Sequence, residues 1–361
     1  MSASGNRILV YRLGSLGDTV MALPCFHRVK ESFPDADITL LTNRPVAAKA
    51  APLEAILGKD YFFDRVLDYP VGTRNLLVLA ALIWQIRALK IDTVVNITST
   101  RSARLVRRDR WFFRAAGVRR FVGFAKEDIK TINPVAGETE WEATWLARRV
   151  RSLGPIALEA DRYWDLRLTN SELYQASQVL EGIPAHVPVV AASIGTKNQS
   201  NDWEADNWLR LFSQLRTALP DGQLILIGAA EEAERSNAIL DAWGGEGLNL
   251  CGKLAPRVSA AVLKRASVFV GHDSGPMHLA ASVGVPCVGI FSARNLPRQW
   301  FPRGDGNRII YHRTDCAGCG LEVCLEQRKK CILSITVGEV QQAILEAIAR
   351  QDLVKCIQTA S

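Results

Sequence analysis

No stretch of this 361-residue chain approaches the roughly 20 consecutive apolar residues that a bilayer crossing requires. The N-terminal run MSASGNRILVYRLGSLGD puts Gly14, Gly17 and Asp18 where a signal peptide would need its apolar segment to continue. A cytoplasmic protein is expected. Low-complexity tracts and short repeat periods are absent, and the composition leaves out disordered and fibrous classes. The cysteines do not make the even framework of a small secreted domain: Cys25, Cys251, Cys287 and Cys356 are scattered, and only Cys316, Cys319, Cys324 and Cys331 cluster. Reduced thiols are the expectation. There is also no complete G-x-G-x-x-G after a strand, which disfavours a nicotinamide-dependent oxidoreductase.

What is present is globular and large, with 48% hydrophobic and 22% charged residues. At about 150 residues per domain the length suits two α/β domains. Buried-strand runs alternate with helical patterns at Ile8–Tyr11, Ile38–Leu41, Thr93–Ile97, Val189–Ala192, Leu224–Ile227, Val268–Gly271 and Cys287–Phe291. Short apolar strands separated by helices imply parallel sheets. One helix is expected over Thr19–Ser32, ended before Pro34 and kinked at Pro24. An amphipathic helix is expected over Val337–Arg350, with Val337, Val340, Ile344, Leu345 and Ile348 on one side. Between them Gly182, Pro184 and Pro188 break regular structure. The expected division is therefore a domain over 1–170, a linker over 171–187 and a second domain over 188–361.

The net charge of +7 is one-sided. Residues 1–160 hold 24 Lys and Arg against 16 Asp and Glu, whereas 161–361 hold 20 against 21. Much of the excess lies in one stretch, where Arg101, Arg104, Arg107 and Arg108 lead into Trp111, Phe112 and Phe113. Arginine forks suit phosphate and carboxylate, so an anionic partner is expected there, with the aromatics packing on a sugar face or a lipid headgroup region. The ordinary alternative is a solvated helix with its aromatics in the core. A nucleic-acid-binding protein is a further reading of the same stretch.

Four loops carry chemistry. Arg12–Thr19 runs from the first strand into the first helix, and its Asp18 would repel a phosphate. At the C-terminal edge of a parallel sheet such a carboxylate serves as general base to a hydroxyl, or else merely as a helix N-cap. Asp273, Ser274, Gly275, Pro276, Met277 and His278 again follow a strand and open a helix, whose N–H groups and dipole suit a diphosphate, with capping alone as the alternative. Ser193, Thr196 and Lys197 lie on a small hydroxyl-rich loop that fits phosphate contact or plain solvation. Glu232, after another buried strand, suits ribose hydroxyls or the first turn of a helix.

Taken together, and above all in GSLGDTVMALP and GHDSGPMHLAASVGVPCVGIF, the chain resembles glycosyltransferase family 9, the ADP-heptose heptosyltransferases, from Arg7 to about Ala349. The resemblance implies a GT-B fold, two Rossmann-like domains with parallel sheets facing a central cleft, acceptor on the first and donor on the second. It implies Asp18 as catalytic base, Asp273 to His278 on the diphosphate and donor sugar, and Glu232 on the nucleoside. Asn201 stands where many members carry lysine, which leaves Lys197 to supply that charge. The expected reaction is inverting transfer of a sugar, heptose from ADP-heptose foremost, to a lipopolysaccharide core or related anionic glycolipid; another nucleotide sugar is the alternative donor. Peripheral membrane association and no nucleic-acid partner go with it, and a silent sugar-nucleotide binder would bind donor without releasing diphosphate. Catalysis needs no metal or other cofactor on this reading. Cys316-x2-Cys319-x4-Cys324-x6-Cys331 also resembles a cysteine-rich loop of part of the family and is a candidate structural zinc or iron site, with reduced thiols packed in a loop as the alternative.

Overall fold

The computed structural model describes residues 6–43, 52–59, 61–99, 102–125, 132–133 and 137–360. Two compact units divide the chain. The first takes residues up to 133 and 139–167, the second 134–138 and everything from Leu168.

In the first unit the elements run β1 (Arg7–Tyr11), α1 (Leu16–Met21), α2 (Leu23–Ser32), β2 (Asp37–Asn43), α3 (Leu53–Leu57), β3 (Arg65–Tyr69), α4 (Leu76–Ala88), β4 (Thr93–Asn96), α5 (Ala103–Ala115) and β5 (Arg120–Val122). After a short ribbon of β6 (Ile132–Asn133) and β7 (Glu138–Thr139), α6 (Glu142–Arg149) follows. The sheet is parallel in the order β3-β2-β1-β4-β5. Its central strands β1 and β4 are buried almost throughout, because both faces are covered. On one side Leu82 and Ile86 of α4 and Phe113 of α5 share a core with Leu9, Tyr11 and Val94.

The single helix expected over Thr19–Ser32 is two. Ala22 (φ −92°, ψ −5°) separates α1 from α2, so Pro24 falls in the first turn of α2, where a missing N–H costs nothing. The first helix also starts earlier than expected, which puts Asp18 inside its first turn and makes Ser15 the N-cap.

The second unit opens with α7 (Asn170–Val179), whose Glu172 is paired with the buried Arg257 at 2.6 Å. It continues through β8 (Val189–Ser193), α8 (Ala205–Ala218), β9 (Gln223–Leu226), α9 (Ala233–Trp243), β10 (Gly247–Asn249), α10 (Pro256–Leu263), β11 (Val268–His272), α11 (Gly275–Ser282), β12 (Cys287–Phe291) and β13 (Arg308–Tyr311). Helices α12 (Lys330–Leu333) and α13 (Val337–Ala360) close it. The sheet is parallel in the order β10-β9-β8-β11-β12-β13. Val340, Ile344 and Ile348 of α13 join Val190, Trp208 and Val288 in one core. Helix α13 runs ten residues beyond the expected Arg350.

Candidate active site

Both sheets reverse their strand order beside their first strand, between β1 and β4 in the first unit and between β8 and β11 in the second. Crevices at the carboxyl ends of such strand pairs are where open α/β sheets hold ligands. The candidate residues lie at both.

In the first unit Asp18 is enclosed by donors. Its Oδ2 accepts from the Ser15 amide at 2.9 Å and the Ser15 hydroxyl at 2.7 Å, and its Oδ1 from the Ser99 hydroxyl at 3.1 Å. Ser99 follows β4, so the carboxylate bridges the switch point. Arg12, fully buried, sets Nη2 3.7 Å from Oδ1 and donates to the Ile97 carbonyl at 2.5 Å and to the Asp18 carbonyl. Burial pushes the Asp18 carboxyl up, but the Arg12 guanidinium and the Ser15 and Ser99 hydrogen bonds more than offset it and hold the group below the usual range. Asp18 is thus ionised at neutral pH. Gly14 makes the turn possible: at φ +148° a Cβ there would lie 2.6 Å from the Cβ of Asp18.

In the second unit Ser274 precedes α11 in extended conformation and Pro276 occupies the first turn. His278 is buried with Nε2 3.8 Å from Asp273 Oδ1, and Asn295 donates to the other Asp273 oxygen at 3.4 Å. The Ser274 hydroxyl and His278 Nδ1 are buried without a hydrogen-bond partner among the described residues. Buried polar atoms are rarely left so. Met277 is fully buried in the core, so only its backbone amide faces this end of the helix.

The neighbouring loops differ in character. Ser193 is buried at the end of β8, Thr196 Oγ1 donates to the Asn198 carbonyl at 3.4 Å, and Lys197 is exposed. Asn201 is buried and accepts from Ser292 at 2.5 Å. Glu232 turns its carboxylate into space that two glycines leave open: a Cβ on Gly195 or Gly228 would lie 1.8 or 2.0 Å from its oxygens. It also accepts from the Ala229 amide at 3.3 Å.

Two residues outside the sequence-based set tie these loops together. His272, fully buried at the end of β11, accepts from the Trp203 amide and meets the Gly195 carbonyl through its other nitrogen. Lys329 is buried, donates to the Asp202 carbonyl at 2.9 Å and pairs with Glu204 at 2.8 Å. His272 stands in the GHDSGPMH motif and Lys329 in none, and the segment on which each works is far away in sequence.

The arginine stretch forms α5. Arg101 lies outside the described residues, and Arg104, Arg107 and Arg108 are exposed, Arg108 pairing with Asp109 at 2.8 Å. Its aromatics divide between the two expectations, with Phe113 buried, Phe112 half-buried and Trp111 65% exposed.

Among the described residues no group of three or more His, Cys, Asp or Glu side chains is arranged to hold an ion. Cys319 is exposed, Cys316 is half-buried beside the Thr314 hydroxyl, and Cys324 and Cys331 are buried, all as free thiols. Hydrogen bonds to its main-chain carbonyls hold the cysteine loop: Ser200 donates to the Leu321 carbonyl at 2.6 Å through its hydroxyl and to the Glu322 carbonyl at 3.0 Å through its amide, and Arg294 donates to the Leu321 carbonyl at 2.7 Å.

Residues 144–330 match the family model described as glycosyltransferase family 9 (heptosyltransferase). The chain belongs to glycosyltransferase family 9. It is similar to lipopolysaccharide heptosyltransferase 3 of Escherichia coli K12, 23% identical over 295 residues, 77% of this chain and 80% of that one. Among solved structures it is similar to the family 9 glycosyl transferase of Veillonella parvula (TM-score 0.68, 16% identity, 97% and 99% of the two chains). It is likewise similar to the ADP-heptose lps heptosyltransferase II of E. coli (TM-score 0.66, 16% identity, 96% and 99%). The two parallel sheets are thus those of a GT-B glycosyltransferase, and the chain is a transferase enzyme.

Proposed function

We propose that this family 9 enzyme transfers heptose from ADP-heptose to a lipopolysaccharide core acceptor with inversion. The observation that carries the reading is the pair of unpartnered buried polar atoms, Ser274 Oγ and His278 Nδ1, at the N-terminus of α11. A diphosphate there would meet both, the free amides of the first turn and the positive end of the helix. Lys197 and Thr196 add a charge and a donor from the β8 loop, Ser193 lines its base, and Glu232 accepts from the ribose. Asp273 orients the donor sugar.

In the reaction an acceptor hydroxyl oxygen bonds to the anomeric carbon as the bond from that carbon to the diphosphate breaks. The hydroxyl proton passes to the Asp18 carboxylate and the bonding pair leaves with ADP. One displacement inverts the anomeric centre. The α11 donors stabilise the charge that grows on the leaving diphosphate, which is the part a metal would otherwise play. Arg104, Arg107 and Arg108 receive the negative groups of the acceptor, and Arg101 is assigned with them. No described helix is long and apolar enough to cross a membrane, and the enzyme works from the cytoplasm as a peripheral protein at the inner membrane face.

The test is incubation of purified protein with ADP-heptose and with UDP- and GDP-sugars, in the presence and absence of core oligosaccharide. Release of ADP and a product of inverted anomeric configuration by NMR are expected. Bound donor with no ADP release under any acceptor would make the chain a binder and overturn the proposal.

A further inference from the structure

Helix α4 carries the sequence LLVLAALIWQIRA, yet only Leu82 and Ile86 are buried. Leu76, Leu77 and Trp84 are 77%, 80% and 71% exposed. With Ala80 and Ala81 they recur at helical spacing on one outward side. Exposed leucines and tryptophan grouped this closely are a signature of a covered surface rather than of water contact.

Helix α5 lies next to α4 on the same side of the sheet. Both feed one core through Ile86 and Phe113, and a Cβ on Gly117, just past α5, would lie 3.9 Å from the Arg87 side chain of α4. The outward face of α5 presents Arg104, Arg107, Arg108, Trp111 and Arg114, the last with its guanidinium 5.8 Å from the Trp111 ring centroid. Charge of one sign surrounds the apolar face: residues 71–120 hold eleven Lys and Arg against two Asp, and Asp109 of these is buried.

That combination selects the occupant. A nucleic acid would take the arginines but leave Leu77 and Trp84 in water. A second copy of the same face would bring like charges together. An anionic bilayer satisfies both halves, since apolar side chains enter the boundary between headgroups and acyl chains while cations hold phosphates. We propose that the outward faces of α4 and α5 dock on an anionic phospholipid surface, Leu76, Leu77 and Trp84 entering the bilayer and the α5 arginines lying at headgroup level. The proposal gives the peripheral association of the functional reading its surface, and rests on that reading only for the place of work.

The test uses sedimentation of the full chain with vesicles of phosphatidylcholine alone and of phosphatidylcholine mixed with phosphatidylglycerol. Binding to the mixed vesicles only is expected, weakening as salt is raised from about 0.1 M toward 1 M, where the screening length falls from about 10 to about 3 Å. The variant Leu77→Asp/Trp84→Ser should lose at least about tenfold in vesicle affinity. Because both side chains face water, its melting temperature and its ADP release with soluble core oligosaccharide should match the parent. Equal binding of variant and parent would overturn the proposal. So would equal binding to neutral vesicles, binding of RNA in place of vesicles, or a dimer of the parent that the variant abolishes while vesicle affinity stays the same. Vesicle binding that follows the expected pattern in a protein that never releases ADP would leave the docking surface standing and remove the transferase reading.

Discussion

The backbone amide of Trp203 donates to Nε2 of His272 at 3.1 Å, across 69 residues of sequence. An Nε2 that accepts leaves the ring proton on Nδ1, which then faces the Gly195 carbonyl at 3.4 Å. One neutral imidazole thus holds both ends of the β8 loop against β11.

Burial pushes the His272 pKa down to about 4, against the attraction of nearby Asp202 and the hydrogen bond to Gly195. Below about pH 6.5 the unfolded chain binds this proton and the folded chain does not, so stability falls as pH drops from about 6.5 to about 4, by on the order of 1–3 kcal/mol. Urea unfolding at pH 7 and pH 4.5 measures it. His272→Gln should be less stable at pH 7 but lose less on acidification; an identical pH slope in both proteins would remove His272 from the account.

Asp18→Asn should lower turnover by about 10² or more while ADP affinity stays near the parent value. Ser99→Ala, which removes one donor from the carboxylate, should raise the Asp18 pKa and cost turnover less. Because the Asp18 pKa lies below the usual carboxylate value of about 4, kcat/KM should show no acid limb from this group between pH 5 and pH 7. A limb near pH 6 that Ser99→Ala shifts upward would assign Asp18 the wrong ionisation.

Ser274→Ala removes a hydroxyl with no partner among the described residues, so folding stability should change by less than about 1 kcal/mol. ADP affinity, measured by calorimetry, should nonetheless fall severalfold, and His278→Ala should weaken it further. Unchanged affinity in both variants would put the diphosphate elsewhere.

Gly195→Ala and Gly228→Ala each put a methyl group where the Glu232 carboxylate lies. The flexible side chain yields before the backbone, so the expected loss is in nucleotide affinity more than in melting temperature. The double variant Gly195→Ala/Glu232→Gln should bind ADP no worse than Glu232→Gln alone; an additive loss would mean the methyl acts on the loop and not on the carboxylate.

The central strands were legible because burial on both faces makes them continuous apolar runs: β1, β2, β4, β8, β9, β11 and β12 all read directly. The edge strands did not. Arg65–Tyr69, Arg120–Val122, Gly247–Asn249 and Arg308–Tyr311 pair on one side only, keep exposed or half-buried residues, and carry no apolar run long enough to stand out. The turns bearing Asp18 and Ser274 were readable as strand-to-helix junctions. The partners that set their electrostatics were not: Ser99 reaches Asp18 across 81 residues and Lys329 reaches Asp202 across 127. Such pairings follow from strand order, which local pattern does not contain.

Helix α13 also bears on how the chain is made. Every element of the first sheet has been synthesised by Arg167, so that unit can close while the ribosome is still translating its neighbour. The second sheet has no such freedom, because Ile344 and Ile348 fill the same core as Val190 and Val288. Until the codons for Ile344 and Ile348 are read, a nascent chain exposes that unfilled apolar face, and arrested nascent chains should show protease resistance in the first unit well before the second. The half of the enzyme assigned to the sugar nucleotide is the half that needs chaperone cover longest.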